Sequence, residues 1–129
     1  MKTLVSSRKK PAKKRKTIEN DETCLQMHTA QWLESTMPGL LAFHVPNERK
    51  GGIGAVMHFK RLGVKAGVAD WLVFPRNGRK VAIELKDDEG DQEPAQERFQ
   101  ARWEATGGLY LVARTLEEFK GIIAAVTLF

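Results

Sequence analysis

The spacing of apolar residues along the chain predicts a long first helix followed by a strand. Five residues recur at helical spacing up to the helix-breaking Pro38-Gly39 pair: Cys24, Met27, Ala30, Leu33 and Met37. The apolar run at residues 40–45 then predicts a buried strand. A glycine-rich loop follows, and a short helix is expected over 55–62, ending at Gly63.

The second half predicts a hairpin and two further helices. Two apolar runs, 71–74 and 80–86, are joined by the turn-forming residues 75–79. A long helix begins at Pro94 and stops at Gly107-Gly108. A strand over 109–113 precedes a capping box, Thr115 to Glu118, that opens the final helix. The predicted order is α-β-(α)-β-β-α-β-α, an α/β fold.

Charge divides the chain into a tail and a body. The 129 residues carry a net charge of +5, but residues 1–16 hold eight basic side chains and no acid. Residues 17–129 hold 13 basic and 16 acidic side chains, a net charge of −3. We therefore expect a disordered basic tail over 1–17 and a single domain over 18–129. The tail, which contains Lys13, Lys14, Arg15 and Lys16, suits contact with a polyanion such as DNA, or serves only solubility.

Composition also limits where the protein works. No apolar run is long enough to span a membrane, and the basic N-terminus is not followed by the apolar segment of a secretory signal. Cys24 is the only cysteine, so no internal disulfide forms. These features favour a reducing intracellular compartment, either a bacterial or phage-infected cytoplasm or, given the basic run at 11–16, a nucleus.

A Glu-x-Lys pattern occurs three times, and its structural context separates the copies. Glu118 and Lys120 lie on a helix, where residues two apart point about 200° from each other. The copy at 48–50 lies in the glycine-rich loop. Only Glu84 and Lys86 lie on a predicted strand, where residues i and i+2 share a face.

The length of the hairpin loop decides whether Asp70 lies beside Glu84. A two-residue Asn77-Gly78 turn would pair Asp70 with Leu85 and put the two acids on opposite faces. A three-residue loop, with Gly78 left-handed in a G1 bulge, pairs Asp70 with Glu84. That register also places a continuous apolar set on the other face, and we predict it for this reason: Trp71, Val73, Val81, Ile83 and Leu85.

These residue types suit metal-dependent phosphodiester hydrolysis. Mg²⁺ and Mn²⁺ prefer hard oxygen ligands, which Asp70, Glu84 and the backbone carbonyl of Leu85 can supply. Lys86 can orient an attacking water or stabilise the charged transition state. The alternative is a surface hairpin without catalytic function, in which the charge of Lys86 reduces the repulsion between the two carboxylates. Directly opposed like charges are nevertheless destabilising.

The motifs together resemble the VRR-NUC family, a branch of the PD-(D/E)xK nuclease superfamily. The resemblance runs through residues 63–70, Ile83-Glu84-Leu85-Lys86 and Gln96, with Glu22-x-x-x-Gln26 and residues 45–48 upstream. It covers nearly everything from Glu22 to Phe119. The chain departs at Ala69, where the family commonly has proline, a backbone preference and not a ligand.

The resemblance implies a restriction-endonuclease-like core with a mixed β-sheet flanked by helices. It implies Asp70 and Glu84 as metal ligands, Glu22 as a third acid and metal ligand, Lys86 as the catalytic lysine and Gln96 as an accessory residue. It also implies Mg²⁺- or Mn²⁺-dependent cleavage of branched or flapped DNA, including four-way junctions. Symmetric resolution of such a junction needs two sites, so a homodimer is expected.

Basic residues in the loop and short helix are candidates for contact with the DNA backbone: Arg49, Lys50, Lys60, Arg61 and Lys65. The sequence leaves two other functions open. One is a non-catalytic DNA-binding module that uses the tail and basic loop. The other is cleavage of duplex DNA by sequence, although no residues recognisably suited to reading base edges are present.

Overall fold

The computed structural model describes residues 22–46 and 52–128. The basic tail, Arg49, Lys50 and the motif residues Asn47 and Glu48 lie outside the described residues. The elements follow the predicted order: α1 (Glu22–Thr36), β1 (Leu41–His44), α2 (Ile53–Arg61), β2 (Trp71–Phe74), β3 (Val81–Leu85), α3 (Pro94–Ala105), β4 (Leu109–Ala113) and α4 (Leu116–Thr127). No helix within the described ranges is long and apolar enough to cross a membrane.

The four strands form a mixed sheet in the order β1-β2-β3-β4, as expected for this fold class. The first three strands pair antiparallel, and β4 pairs parallel to β3 after the crossover through α3. On one face, α1 and α4 cover the main core, in which Phe119 and Ile123 of α4 pack against the sheet. On the other face, Phe99 and Trp103 of α3 pack against a smaller cluster that contains Tyr110.

The hairpin between β2 and β3 has the three-residue loop that the apolar pattern predicts. Trp71 pairs with Ile83 and Val73 with Val81, and the same register continued by one residue sets Asp70 opposite Glu84. Gly78 has a φ of +84°, and its N–H donates to the Pro75 carbonyl over 3.2 Å. The five apolar residues assigned to one face are all buried in the main core. Loop length and apolar pattern therefore select the same register.

Two details of the predicted burial are wrong. Strand β1 is not buried: among the described strands it pairs only with β2, and Leu41 and Phe43 are exposed on this edge of the sheet. In α1, Met27 is exposed, and the buried positions are Leu25, Thr29 and Leu33. Thr29 is tolerated in the core because its hydroxyl accepts a hydrogen bond from Trp71 Nε1 over 3.1 Å.

Helix α3 is positioned by a close approach at Gly67. Gly67 has a φ of +78°, and a Cβ there would collide with the backbone of Ala95 and with Gln96 N. Glycine is therefore required both for the backbone conformation and for the contact. The glycine brings the first turn of α3, which carries Gln96, next to the segment leading into Asp70.

We predict that Gly67→Ala destabilises the protein more than Gly63→Ala does. Both glycines have positive φ, but a Cβ at Gly63 would meet nothing within 4 Å. Gly63→Ala should cost only the left-handed conformation, about 1–2 kcal/mol. Gly67→Ala adds the collision, about 1–3 kcal/mol more. Urea unfolding of both variants measures the difference, and equal losses would contradict the close approach.

Candidate active site

Asp70 and Glu84 meet where β2 begins and β3 ends. Their side chains lie on the sheet face that α3 covers, opposite the main core, and Glu84 is only 3% exposed. Asp70 Oδ2 accepts a hydrogen bond from the Leu85 N–H over 2.7 Å. The hairpin register thus brings together the two acids that the sequence singled out.

The backbone of Asp70 is fixed from the other side by β1. The Asp70 carbonyl oxygen accepts a hydrogen bond from Val45 N over 2.8 Å, and His44 Nδ1 lies 2.8 Å from the same oxygen. These contacts extend the β1–β2 ladder by one residue. The edge strand therefore holds the acid that β2 presents.

Both carboxylate oxygens of Glu84 receive a hydrogen bond. Gln96 Nε2 donates to Oε1 over 2.8 Å, and the Tyr110 hydroxyl donates to Oε2 over 3.2 Å. Gln96 Oε1 in turn accepts from the Glu93 N–H over 2.8 Å, as part of the capping box that begins α3. The same amide group therefore caps the helix and orients Glu84.

Sequence reasoning missed Tyr110. The residue lies on β4 opposite Ala82, on the same face as Glu84, and its ring contacts Phe99 of α3. Gln92 Nε2 lies 3.3 Å from its hydroxyl oxygen. The missing information was the parallel pairing of β4 with β3, which no local pattern defines. The available signal was a single tyrosine in a predicted strand.

The pKa of Glu84 is changed by two features of the pair: Glu84 is buried away from water, and Asp70 is a second acid beside it. Burial, the Asp70 charge and a hydrogen bond with Asp70 raise the pKa of Glu84 to about 8, against the opposing effects of Lys86 and Tyr110. Burial and the charge of Glu84 likewise raise the pKa of Tyr110. A carboxylate pair without a cation thus retains a proton near neutral pH.

Lys86 and Glu22 lie beyond Glu84, at the end of β3. Lys86 is 7% exposed, and its N–H donates to the Ala113 carbonyl, which continues the β3–β4 ladder. No ion pair to its ammonium group occurs within the described ranges. Asp87 follows Lys86, and its backbone N–H donates a long hydrogen bond of 3.4 Å to Glu22 Oε1. Glu22 therefore approaches the Lys86 end of the site.

The donor set fits a hard divalent cation held by two carboxylates. Mg²⁺ is usually bound in proteins by one or two carboxylates and several waters. A cation would also offset the two main causes that raise the pKa of Glu84, namely its burial and the charge of Asp70. No group of three or more His, Cys, Asp or Glu side chains suited to a metal occurs in residues 22–46 and 52–128.

The described candidates for DNA contact are exposed. Lys60 and Arg61 lie in the last turn of α2, and Lys65 lies in the turn that follows. Lys65 is two residues before Gly67, which contacts the first turn of α3 at Gln96. In sequence, these side chains therefore lie close to the glycine that packs against α3 beside the site.

Two solved structures share this fold. One, described as "VRR_NUC domain protein", has a TM-score of 0.68 and 23% sequence identity, over 86% of this chain and 89% of that one. The other, described as "VRR_NUC domain", has a TM-score of 0.54 and 20% identity, over 80% of this chain and 94% of that one. No protein-family model and no curated protein matches the chain. The chain therefore has the VRR-NUC fold, which confirms the resemblance at the level of architecture.

We predict that Glu84→Gln flattens the pH dependence of stability. The folded protein keeps a proton on Glu84 up to about pH 8, whereas in the unfolded chain this proton is lost near the ordinary value of 4.5. The folded state therefore binds more protons between these values, and its stability falls as the pH rises through this window. Urea unfolding at pH 5 to 8 in EDTA measures the slope.

The matched control is Glu34→Gln, at an exposed position of α1. This variant should retain the slope of the wild type. A wild-type slope as shallow as that of Glu84→Gln would show that the carboxylate pair is not confined as described.

Proposed function

We propose that this protein is a Mg²⁺- or Mn²⁺-dependent DNA endonuclease with Asp70, Glu84 and Lys86 at its centre. One observation carries the proposal: the half-buried Asp70 and the buried Glu84 lie side by side on neighbouring strands, with the buried Lys86 two residues further along β3. Opposed like charges destabilise a sheet, so folding alone gives no reason for this arrangement. The VRR_NUC names of the two similar structures support the same reading.

The roles follow from the positions of the side chains. Asp70 and Glu84 would hold the cation, which when bound makes water a better nucleophile and neutralises charge on the phosphoryl oxygens. Leu85 would add its carbonyl oxygen: the N–H and C=O of a strand residue point to the same edge, and its N–H points to Asp70. Glu22 would be a third acid at the Lys86 end.

The remaining residues would hold and complement this centre. Lys86, buried but without an ion pair in the described part of the chain, would orient the attacking water or stabilise negative charge on the phosphoryl group. Gln96 and Tyr110 would keep the Glu84 carboxylate in one orientation. Lys60, Arg61 and Lys65, with Arg49, Lys50 and the basic tail, would contact phosphates.

The substrate we propose is branched or flapped DNA, cleaved by a homodimer in replication, repair or recombination. Two sites related by a two-fold axis suit the symmetric cleavage of a four-way junction. The single cysteine, Cys24, fits a reducing intracellular compartment.

Cleavage should require Glu84 and Lys86. We expect Glu84→Ala and Lys86→Ala to lose about 10²-fold or more in cleavage rate, since each removes a group that acts at the reacting phosphate. Binding of the same DNA should persist. The assay is a panel of four-way, flapped, single-stranded and duplex DNAs with Mg²⁺ and with Mn²⁺.

The matched control is Lys120→Ala, which removes the lysine of a Glu-x-Lys copy on α4 that contacts Glu117 at the surface. It should cleave at the wild-type rate. A wild-type protein that binds these DNAs but cuts none of them with either metal would instead be a non-catalytic DNA-binding module. Cleavage confined to particular duplex sequences would favour restriction of duplex DNA.

We further expect a homodimer in solution. Light scattering at the concentration used for cleavage should give twice the mass of the 14.5 kDa chain. A monomer that still cuts both strands of a four-way junction in concert would contradict the two-site arrangement.

A further inference from the structure

Helix α2 and the turn after it expose an unusual number of apolar side chains. No residue of α2 is buried, and Ile53 is 85% and Phe59 43% exposed. The other large apolar side chains exposed in this segment are Met57, Leu62 and Val64. A helix on the surface of a protein normally buries such residues on one face. Apolar side chains exposed in this number mark an interaction surface, and Phe59 and Leu62 share one face of the helix.

The charge of the same segment limits what covers it. Residues 52–68 contain Lys60, Arg61 and Lys65 and no acid, in a body whose net charge is −3. In a two-fold interface this patch would face its own copy and oppose like charges. The N-terminal tail carries eight basic residues and would be repelled as well. A polyanion is the occupant that complements both the charge and the exposure.

The segment also lies close to the candidate active site. Gly67 is six positions after Arg61, so α2 ends within about 22 Å of Gly67. Gly67 is packed against Ala95 and Gln96 of α3, and Gln96 donates to Glu84. A nucleic acid strand bound at the carboxylate pair can therefore extend across α2.

We propose that α2 and the following turn bind unpaired nucleotides of the substrate, with Phe59 and Leu62, which share one face of the helix, contacting base faces and Lys60 contacting phosphates. Contact with the backbone of duplex DNA needs only basic side chains, because the base faces are stacked inside the helix. Flaps and branch points expose those faces, and aromatic side chains stack on them. The proposal rests on the proposed function for the identity of the polyanion, and it locates the preference for branched DNA in this helix.

The test is equilibrium binding of the full chain, in EDTA to prevent metal-dependent cleavage, to a fluorescent duplex with and without a single-stranded flap. Phe59→Ala should weaken binding to the flapped DNA about tenfold, as expected for a lost stacking contact, and binding to the plain duplex less than twofold. Leu62→Ala should act in the same direction, because Leu62 is 65% exposed and lies three residues after Phe59 on the same face. Lys60→Gln should weaken both complexes similarly and lower their dependence on salt.

Phe43→Ala is the matched control, because Phe43 is 46% exposed on β1, outside the basic segment. It should leave both affinities unchanged. Equal losses for the two DNAs with Phe59→Ala, or none, would overturn the proposal. A dimer that becomes a monomer in Phe59→Ala would assign the surface to a second copy instead. Cleavage is measured separately. If the wild type cuts none of the DNAs, the proposed nuclease activity is wrong, but the difference in binding between flapped and plain duplex DNA still tests the role of Phe59.

Discussion

The placement of the half-buried Asp70 beside the buried Glu84 is the constraint on which the rest of this structure depends. Two neighbouring carboxylates repel each other, and burial removes the water that would screen them. The pKa of Glu84 is raised, so the pair can keep a proton. The Leu85 N–H donates to Asp70, and Gln96 and Tyr110 donate to Glu84. A divalent cation would replace the proton and reduce the repulsion, which is why we propose that the pair binds a metal.

Each neighbouring element contributes to holding that pair. The hairpin loop sets the register, β1 holds the Asp70 backbone, and β4 brings Tyr110 to Glu84. Helix α3 contributes through two features of its first turn, the close approach of Gly67 and the capping box that orients Gln96. A local helix-capping motif thereby fixes a side chain of the site. Substitutions that move α3 should therefore change the orientation of the Glu84 carboxylate, even though they replace neither Asp70 nor Glu84.

The parts of the site that follow from local rules could be predicted from the sequence. The strand alternation and the Asn77-Gly78 turn were sufficient for the register that sets Asp70 opposite Glu84. Tyr110 could not be predicted, because its position depends on the non-local pairing of β3 with β4. The edge position of β1 could not be predicted for the same reason: its apolar run reads as buried, but the order of the strands leaves Leu41 and Phe43 exposed.

Whether Asp70 and Glu84 bind one divalent cation together can be measured by the anomalous scattering of Mn²⁺ in crystals of the wild-type protein and of Glu84→Gln. We predict a peak in the wild type within bonding distance of both Asp70 and Glu84, about 2 Å for a small divalent cation, and its loss or strong reduction in the variant. Manganese bound elsewhere in the wild type, or a peak between the two positions that survives in Glu84→Gln at equal occupancy, would contradict it.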